Sequence, residues 1–238
     1  MSSRAAVWGL ELEAALAGLY VSITRSLAPL YLVSRGLGLD ELLGLSALGN
    51  AAALALLGLL RRVLTRSGAA LRRALPTLHG LERALWCSIP FSGPLAPALY
   101  ASALAVSSST GLLMTVALLS LGDEELSKQV MARRGALSAS TSLGAQLLSV
   151  ATLAGGGMCT VTTLFLVAAS TGFAATAVVL LITHRLGGAA GSGGPSGEEP
   201  VTIFVFLTLV LSSSAILGVA WTPYLLRVLS ARRGYPHP

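Results

Sequence analysis

Charge is scarce in this chain. Charged residues make up 11% of its 238 positions, against roughly a quarter in soluble domains, too little to clothe a water-soluble globule. Lys128 is the only lysine, so the net charge of +6 is carried by arginine. Aromatic residues are also few, at 5%, and none interleaves with the arginine run at 61–73. That run, flanked by apolar segments, lacks the stacking groups of a nucleic-acid surface, and we assign no nucleic-acid partner. The two cysteines, Cys87 and Cys159, form no CxxC and have no histidine at ligand spacing, so neither a disulfide nor a metal is expected. No H-E-x-x-H, G-x-S-x-G or G-x-x-x-x-G-K-[ST] pattern occurs, no acid cluster stands at metal spacing, and the chain reads as a non-enzyme without a cofactor.

Apolar length is what the sequence has. Hydrophobic residues make up 54% and the mean hydropathy is +0.77, so the fold class is all-α: a polytopic membrane helix bundle in contact with the lipid bilayer. Residues 12–33 form a first span, too long for a signal peptide. Residues 42–60 form a second and 98–121 a fourth, with 135–154 and 161–183 as the fifth and sixth. Residues 74–91 are the least apolar candidate because His79, Glu82 and Arg83 lie inside. They are counted as the third span, since otherwise Lys128, Arg133 and Arg134 would move to the outer side against the charge bias. Three prolines at 90–97 predict a tight outer turn and the polar stretch 122–134 an inner loop.

The domain organisation expected is a six-span bundle over 1–185, a Gly-rich flexible cytoplasmic linker over 186–200, and a seventh span with a basic tail over 201–238. On this map ten Lys and Arg residues face inside: Arg4, five between Arg61 and Arg73, Lys128, Arg133, Arg134 and Arg185. Arg35, Arg227, Arg232 and Arg233 face outside. The bias places the N-terminus in the cytoplasm of a multi-pass cell-membrane protein. The seventh span is expected to be loosely held against a compact unit formed by 1–185.

A faint echo joins the first and seventh spans, each with a proline and a tyrosine near its outer end and an Arg-Gly shortly beyond. Between the second and third spans, Thr65-Arg66-Ser67-Gly68 followed by Arg72-Arg73 looks like a degenerate form of the signature of the major facilitator superfamily. Threonine stands where that family has aspartate, and three extra residues precede the basic pair. Arg134-Gly135 and Gly144 are similar to the start of the family's antiporter motif, but Leu148-Ser149 replaces its Gly-Pro. In layout the chain resembles the family's N-terminal half plus the first span of its second half. The resemblance implies a truncated or split secondary transporter moving a small solute, completed by a second copy or by a separately encoded half. A non-transporting membrane scaffold or accessory subunit derived from such a half is the alternative.

Intramembrane polar residues are the candidate site: Arg25, Asn50, His79, Glu82, Arg83 and Gln146. Arg25, about 13 residues into the first span, is too deep to snorkel and needs a partner or a water-filled cavity. Glu82 lies at similar depth, so an Arg25–Glu82 pair is expected, as a structural clamp or as part of a substrate path. Asn50 reads as an interhelical hydrogen bond or a ligand contact, and Gln146 fits either role. Ser107 to Thr110 either pack and bond their own backbone or face a cavity. Glu11 and Glu13, at the inner end of the first span, are expected to face water.

The topology is directly testable. In a cysteine-free background, single cysteines at 66 and 193 are expected to resist an impermeant thiol reagent added to intact cells. Labelling of both from outside would overturn the map.

Overall fold

A computed structural model of the chain describes residues 3–64, 68–119, 124–155 and 158–186. Among the described residues there are six long helices and no strand: α1 (Ser3–Ser34), α2 (Leu39–Leu64), α3 (Gly68–Ser88), α4 (Ala96–Leu119), α5 (Glu124–Gly155) and α6 (Met158–Leu186). Five of them, α1, α2, α4, α5 and α6, are long and apolar enough to cross a membrane, so the chain is a helical membrane protein. Residues 65–67, with Thr65 and Arg66, lie outside the described residues, as do the linker beyond Leu186 and the whole of 201–238.

The helix ends follow local chemistry. α1 stops where Gly36 takes φ +94°: Leu37 N–H donates to the Leu32 carbonyl at 3.1 Å and Gly36 N–H to that of Val33 at 3.0 Å, the six-to-one and five-to-two bonds of a Schellman end. Glu41 then reaches back to the backbone N–H of Gly38 at 2.8 Å, capping the start of α2 with an acid where the helix dipole favours one. Between α3 and α4 the prolines enforce two 3₁₀ turns, Ile89–Phe91 and Gly93–Leu95. The Tyr31 hydroxyl donates to the Pro90 carbonyl at 3.0 Å and ties this turn to α1.

Two expected loops are more helical than the sequence suggested. The arginines at 61–62 continue α2, and Arg72 and Arg73 lie in the first turns of α3, which Gly68 opens. The polar segment 124–134 forms the beginning of α5 rather than a loop.

Apart from α3 and α4, neighbours in sequence are not the main neighbours in space. α1 packs against α5 and α6, α4 packs against α2 and α3, and α3 packs against α6. Exchanging the first three helices for the last three carries this pattern into itself: the α1–α5 contact becomes α4–α2, α1–α6 becomes α4–α3, and α3–α6 is unchanged. α1 and α4 are thus central, whereas α2 and α5 each lean mainly on one of them.

Two apolar clusters fill the interior. Tyr20, Leu27, Trp86, Tyr100 and Phe165 belong to one, and Leu10, Leu75, Leu113, Val179 and Ile182 to the other. On each of α1, α3, α4 and α6 a short polar stretch falls between the residues of the two clusters. A polar layer is therefore sealed at both ends by dry packing.

Gly49 shows how closely α2 approaches α4. A Cβ there would come within 2.8 Å of the Ala101 carbonyl oxygen and 2.9 Å of Leu104 Cβ, whereas one at Gly58 on the same helix would meet nothing within 4 Å. Gly49→Val is expected to destabilise the bundle by roughly 1 to 3 kcal/mol through overpacking, and Gly58→Val to have little effect. Thermal melts of the two variants in the same detergent check this.

Candidate functional site: a buried charge network

α3 carries its polar residues inward. His79, Glu82, Arg83 and Trp86 fall at i, i+3, i+4 and i+7, one helical face, and all four are buried, while Leu81 on the opposite side is 45% exposed. The residues that make this helix the least apolar of the six are thus those withdrawn from the surroundings.

Each of them addresses a different neighbour. Glu82 turns to α4, where Ser107 Oγ donates to its Oε1 at 2.5 Å, and Trp86 Nε1–H donates to the same Ser107 Oγ at 3.0 Å. Arg83 donates through Nη1 to Glu82 Oε2 and lays its guanidinium over the Tyr20 ring of α1, 4.5 Å from the centroid. Gly172 of α6 admits both groups, since a Cβ there would approach Arg83 Cγ to 2.7 Å and Tyr20 Cδ2 to 2.8 Å. His79 Nδ1 lies 2.9 Å from Thr176 Oγ1 of α6. Its Nε2 lies 2.9 Å from Arg83 Nη2 and 3.2 Å from Glu13 Oε1 of α1.

Glu13 extends the chain to α5. Its Oε2 accepts from Arg134 Nη2 at 2.7 Å, and Arg134 Nη1 also donates to the Leu10 carbonyl. The result is a continuous polar chain, Arg134–Glu13–His79–Arg83–Glu82–Ser107, that touches α1, α3, α4, α5 and α6. α2 joins through aromatic packing: Trp86 meets Tyr100 edge-on at 5.8 Å, and the Tyr100 hydroxyl lies 3.3 Å from Ser46 Oγ. Two carboxylates face two guanidiniums, so the network is neutral when His79 is neutral. Arg133 and Glu11 form a looser pair at 3.5 Å on the rim, with Arg133 66% exposed.

The sequence candidates divide accordingly. His79, Glu82 and Arg83 come together in the network. Arg25 does not: it is exposed on α1, and the expected Arg25–Glu82 pair gives way to Glu82–Arg83, because Arg83 is on the same buried face and reaches the carboxylate first. Asn50 is half-buried on α2 and Gln146 is exposed on α5, and neither shares a hydrogen bond with the network. Ser107 belongs to it, whereas Ser108, Ser109 and Thr110 bond carbonyls of their own helix. Arg73 is exposed.

Glu13 and Arg134 were not among the intramembrane site candidates read from sequence. Glu13 is 3% exposed rather than water-facing. The signal was its phase: it stands seven residues before Tyr20 and fourteen before Leu27, on one stripe of α1. Among the described residues no three His, Cys, Asp or Glu side chains converge on a metal-sized point.

Comparison of the chain with protein-family models, with curated proteins and with solved structures finds no match.

Removing one partner of a buried ion pair leaves an uncompensated charge and costs about 3 to 5 kcal/mol. Glu82→Leu or Arg83→Leu is therefore expected to lower the folded yield sharply, with the double change recovering part of it. Arg25→Leu should shift stability by less than about 0.5 kcal/mol. Size-exclusion profiles and melting temperatures of the four variants read the outcome, and a large loss from Arg25→Leu would contradict the pairing.

Proposed function

We propose that this chain is one half of a secondary transporter of the kind its sequence resembles, moving a small anionic solute across the cell membrane, with its N-terminus in the cytoplasm. Arg25 carries this reading. It lies twelve residues beyond Glu13, about 18 Å further along α1, exposed and with no carboxylate in ion-pair range among the described residues. An arginine at that depth facing lipid costs several kcal/mol. A water-filled path shared with a second set of helices removes the cost and gives the cation an anionic solute to bind.

Two further observations agree. The neighbour pattern that maps the first three helices onto the last three matches the internal repeats of many transporter folds. The edge helices expose Gly44 and Gly58 on α2 and Gly135 and Gly144 on α5 with open space around each, so another helix can approach them closely. A second copy or a separately encoded half would supply it. The scaffold reading draws on one fact: the charge network is internally paired and sealed between two apolar clusters, as in a structural clamp.

Solvent access at position 25 decides between them. With Cys87 and Cys159 replaced by alanine and the protein in lipid bilayers, a nitroxide on Arg25→Cys is expected to relax readily with a water-soluble nickel chelate. The same label at Leu48→Cys on exposed α2 should respond to oxygen instead. A lipid-like response at both positions would remove the transporter reading.

A further inference from the structure

Hydrogen-bond accounting at His79 leaves a conflict at one atom. Nε2 lies 3.2 Å from the Glu13 carboxylate, which only accepts, and 2.9 Å from Arg83 Nη2, which only donates. A protonated Nε2 satisfies Glu13 and opposes Arg83, and a bare Nε2 does the reverse. Nδ1 has no such conflict. Thr176 Oγ1 can donate its own proton to the Gly172 carbonyl, 3.1 Å away, and accept from Nδ1–H in either state. Proton exchange is thereby confined to Nε2.

We infer that the Glu13–His79 pair is a binding site for one exchangeable proton, and that its occupancy is relayed through Arg83 and Glu82 to Ser107 and Trp86. In the empty state Nε2 accepts from Arg83, and the Glu13 carboxylate is held by Arg134 alone. On loading, a proton from water forms the Nε2–H bond and His79 becomes an imidazolium paired with Glu13. Arg83 then loses its acceptor, is repelled by the new charge, and turns to Glu82. On unloading the N–H bond breaks and the proton returns to water. The network passes from neutral to a single positive charge and back, with no other reactant.

Among the described residues α1 presents Glu13 and Tyr20 to the imidazole region, α5 presents Arg134 through Glu13, α6 presents Thr176, and α4 presents Ser107. α3 itself supplies Glu82 and Arg83. Spare capacity for the rearrangement is present, because the Tyr20 hydroxyl and Arg83 Nε are buried without hydrogen-bond partners. The route from water runs along the rim, where Arg133 is exposed and pairs loosely with Glu11 Oε1. Apolar packing closes both ends of the layer. Histidine is the side chain whose ordinary titration falls near neutral pH, which suits it to this exchange.

Trp86, at the far end of the relay, is a built-in reporter. In the full chain carrying Trp8→Phe and Trp221→Phe, reconstituted in lipid nanodiscs, Trp86 emission is expected to follow a one-proton transition between about pH 5 and about pH 8. His79→Asn should flatten it. Selective ¹⁵N-histidine spectra of the chain with His184→Gln and His237→Gln should show Nε2 of His79 gaining its proton over the same range. Ser107→Ala should leave that ¹⁵N titration intact while abolishing the emission change. An emission transition that survives His79→Asn, or ring-nitrogen signals of the folded protein that stay constant across the range, would overturn the inference. If His79→Asn fails to fold, the ¹⁵N measurement on the native side chain decides alone. The site does not depend on solute movement: loss of the transporter reading would leave it standing, and a silent His79 would leave that reading untouched.

Discussion

The fold depends on keeping four charges and a histidine satisfied where water does not reach. Each ion removed from water carries a desolvation penalty of several kcal/mol even after relaxation, and lipid tails offer no hydrogen bonds in return. The pairing Arg134–Glu13 and the contacts of His79 with Glu13 and of Glu82 with Ser107 meet this requirement only if α1, α3, α4 and α5 hold their relative depth and rotation. A slip of one residue on α3 would turn His79 and Glu82 by about 100°, parting His79 from Glu13 and Thr176 and Glu82 from Ser107. Apolar packing tolerates many registers between helices, whereas this network accepts one.

The same constraint explains why, α3 and α4 apart, helices adjacent in sequence are not principal partners. α3 must face α1 and α6 through His79 and Arg83 and face α4 through Glu82, which leaves α2 to meet the centre through buried Leu42 and through Ser46, whose hydroxyl lies near that of Tyr100 on α4. α5 touches the network through Arg134 and leans on α1, where Ser142 donates to the Gly18 carbonyl at 3.1 Å. Both edge helices thus keep most of their circumference outward.

Much of the membrane character was legible in the sequence because apolar length and arginine distribution report directly on lipid. Span existence came through for α1, α2, α4, α5 and α6. The boundaries did not, since Arg61, Arg62 and the stretch 124–134 are polar yet good helix formers and simply prolong their helices. Pairing was less legible. Counted along their spans Arg25 and Glu82 stand alike, but Glu82 joins the layer of Glu13 while Arg25 lies about 18 Å further along α1. Ion-pair formation also depends on helix rotation, and only the buried stripe on α1 carries that information. Read for phase, Glu13 falls on the stripe with Tyr20 and Leu27, whereas Arg25 stands off it. Arg134 had no readable phase, because α5 is exposed around most of its surface.

The inward polar face of α3 also bears on how the chain enters a bilayer. Insertion machinery weighs a nascent helix by its whole composition, and central charged residues such as Glu82 and Arg83 count heavily against partitioning into lipid. In the folded bundle those residues see α1, α4 and α6 instead. On the six-span reading α3 is therefore a poor passenger alone and an acceptable one in company. The short proline turns to α4 deliver that company at once, as Ser107 follows Glu82 by 25 residues. Thr176 and Gly172 arrive only much later in synthesis. Until α6 emerges, His79 and Arg83 lack the neighbours that Thr176 and Gly172 supply, so the polar layer is completed only once α6 has been made.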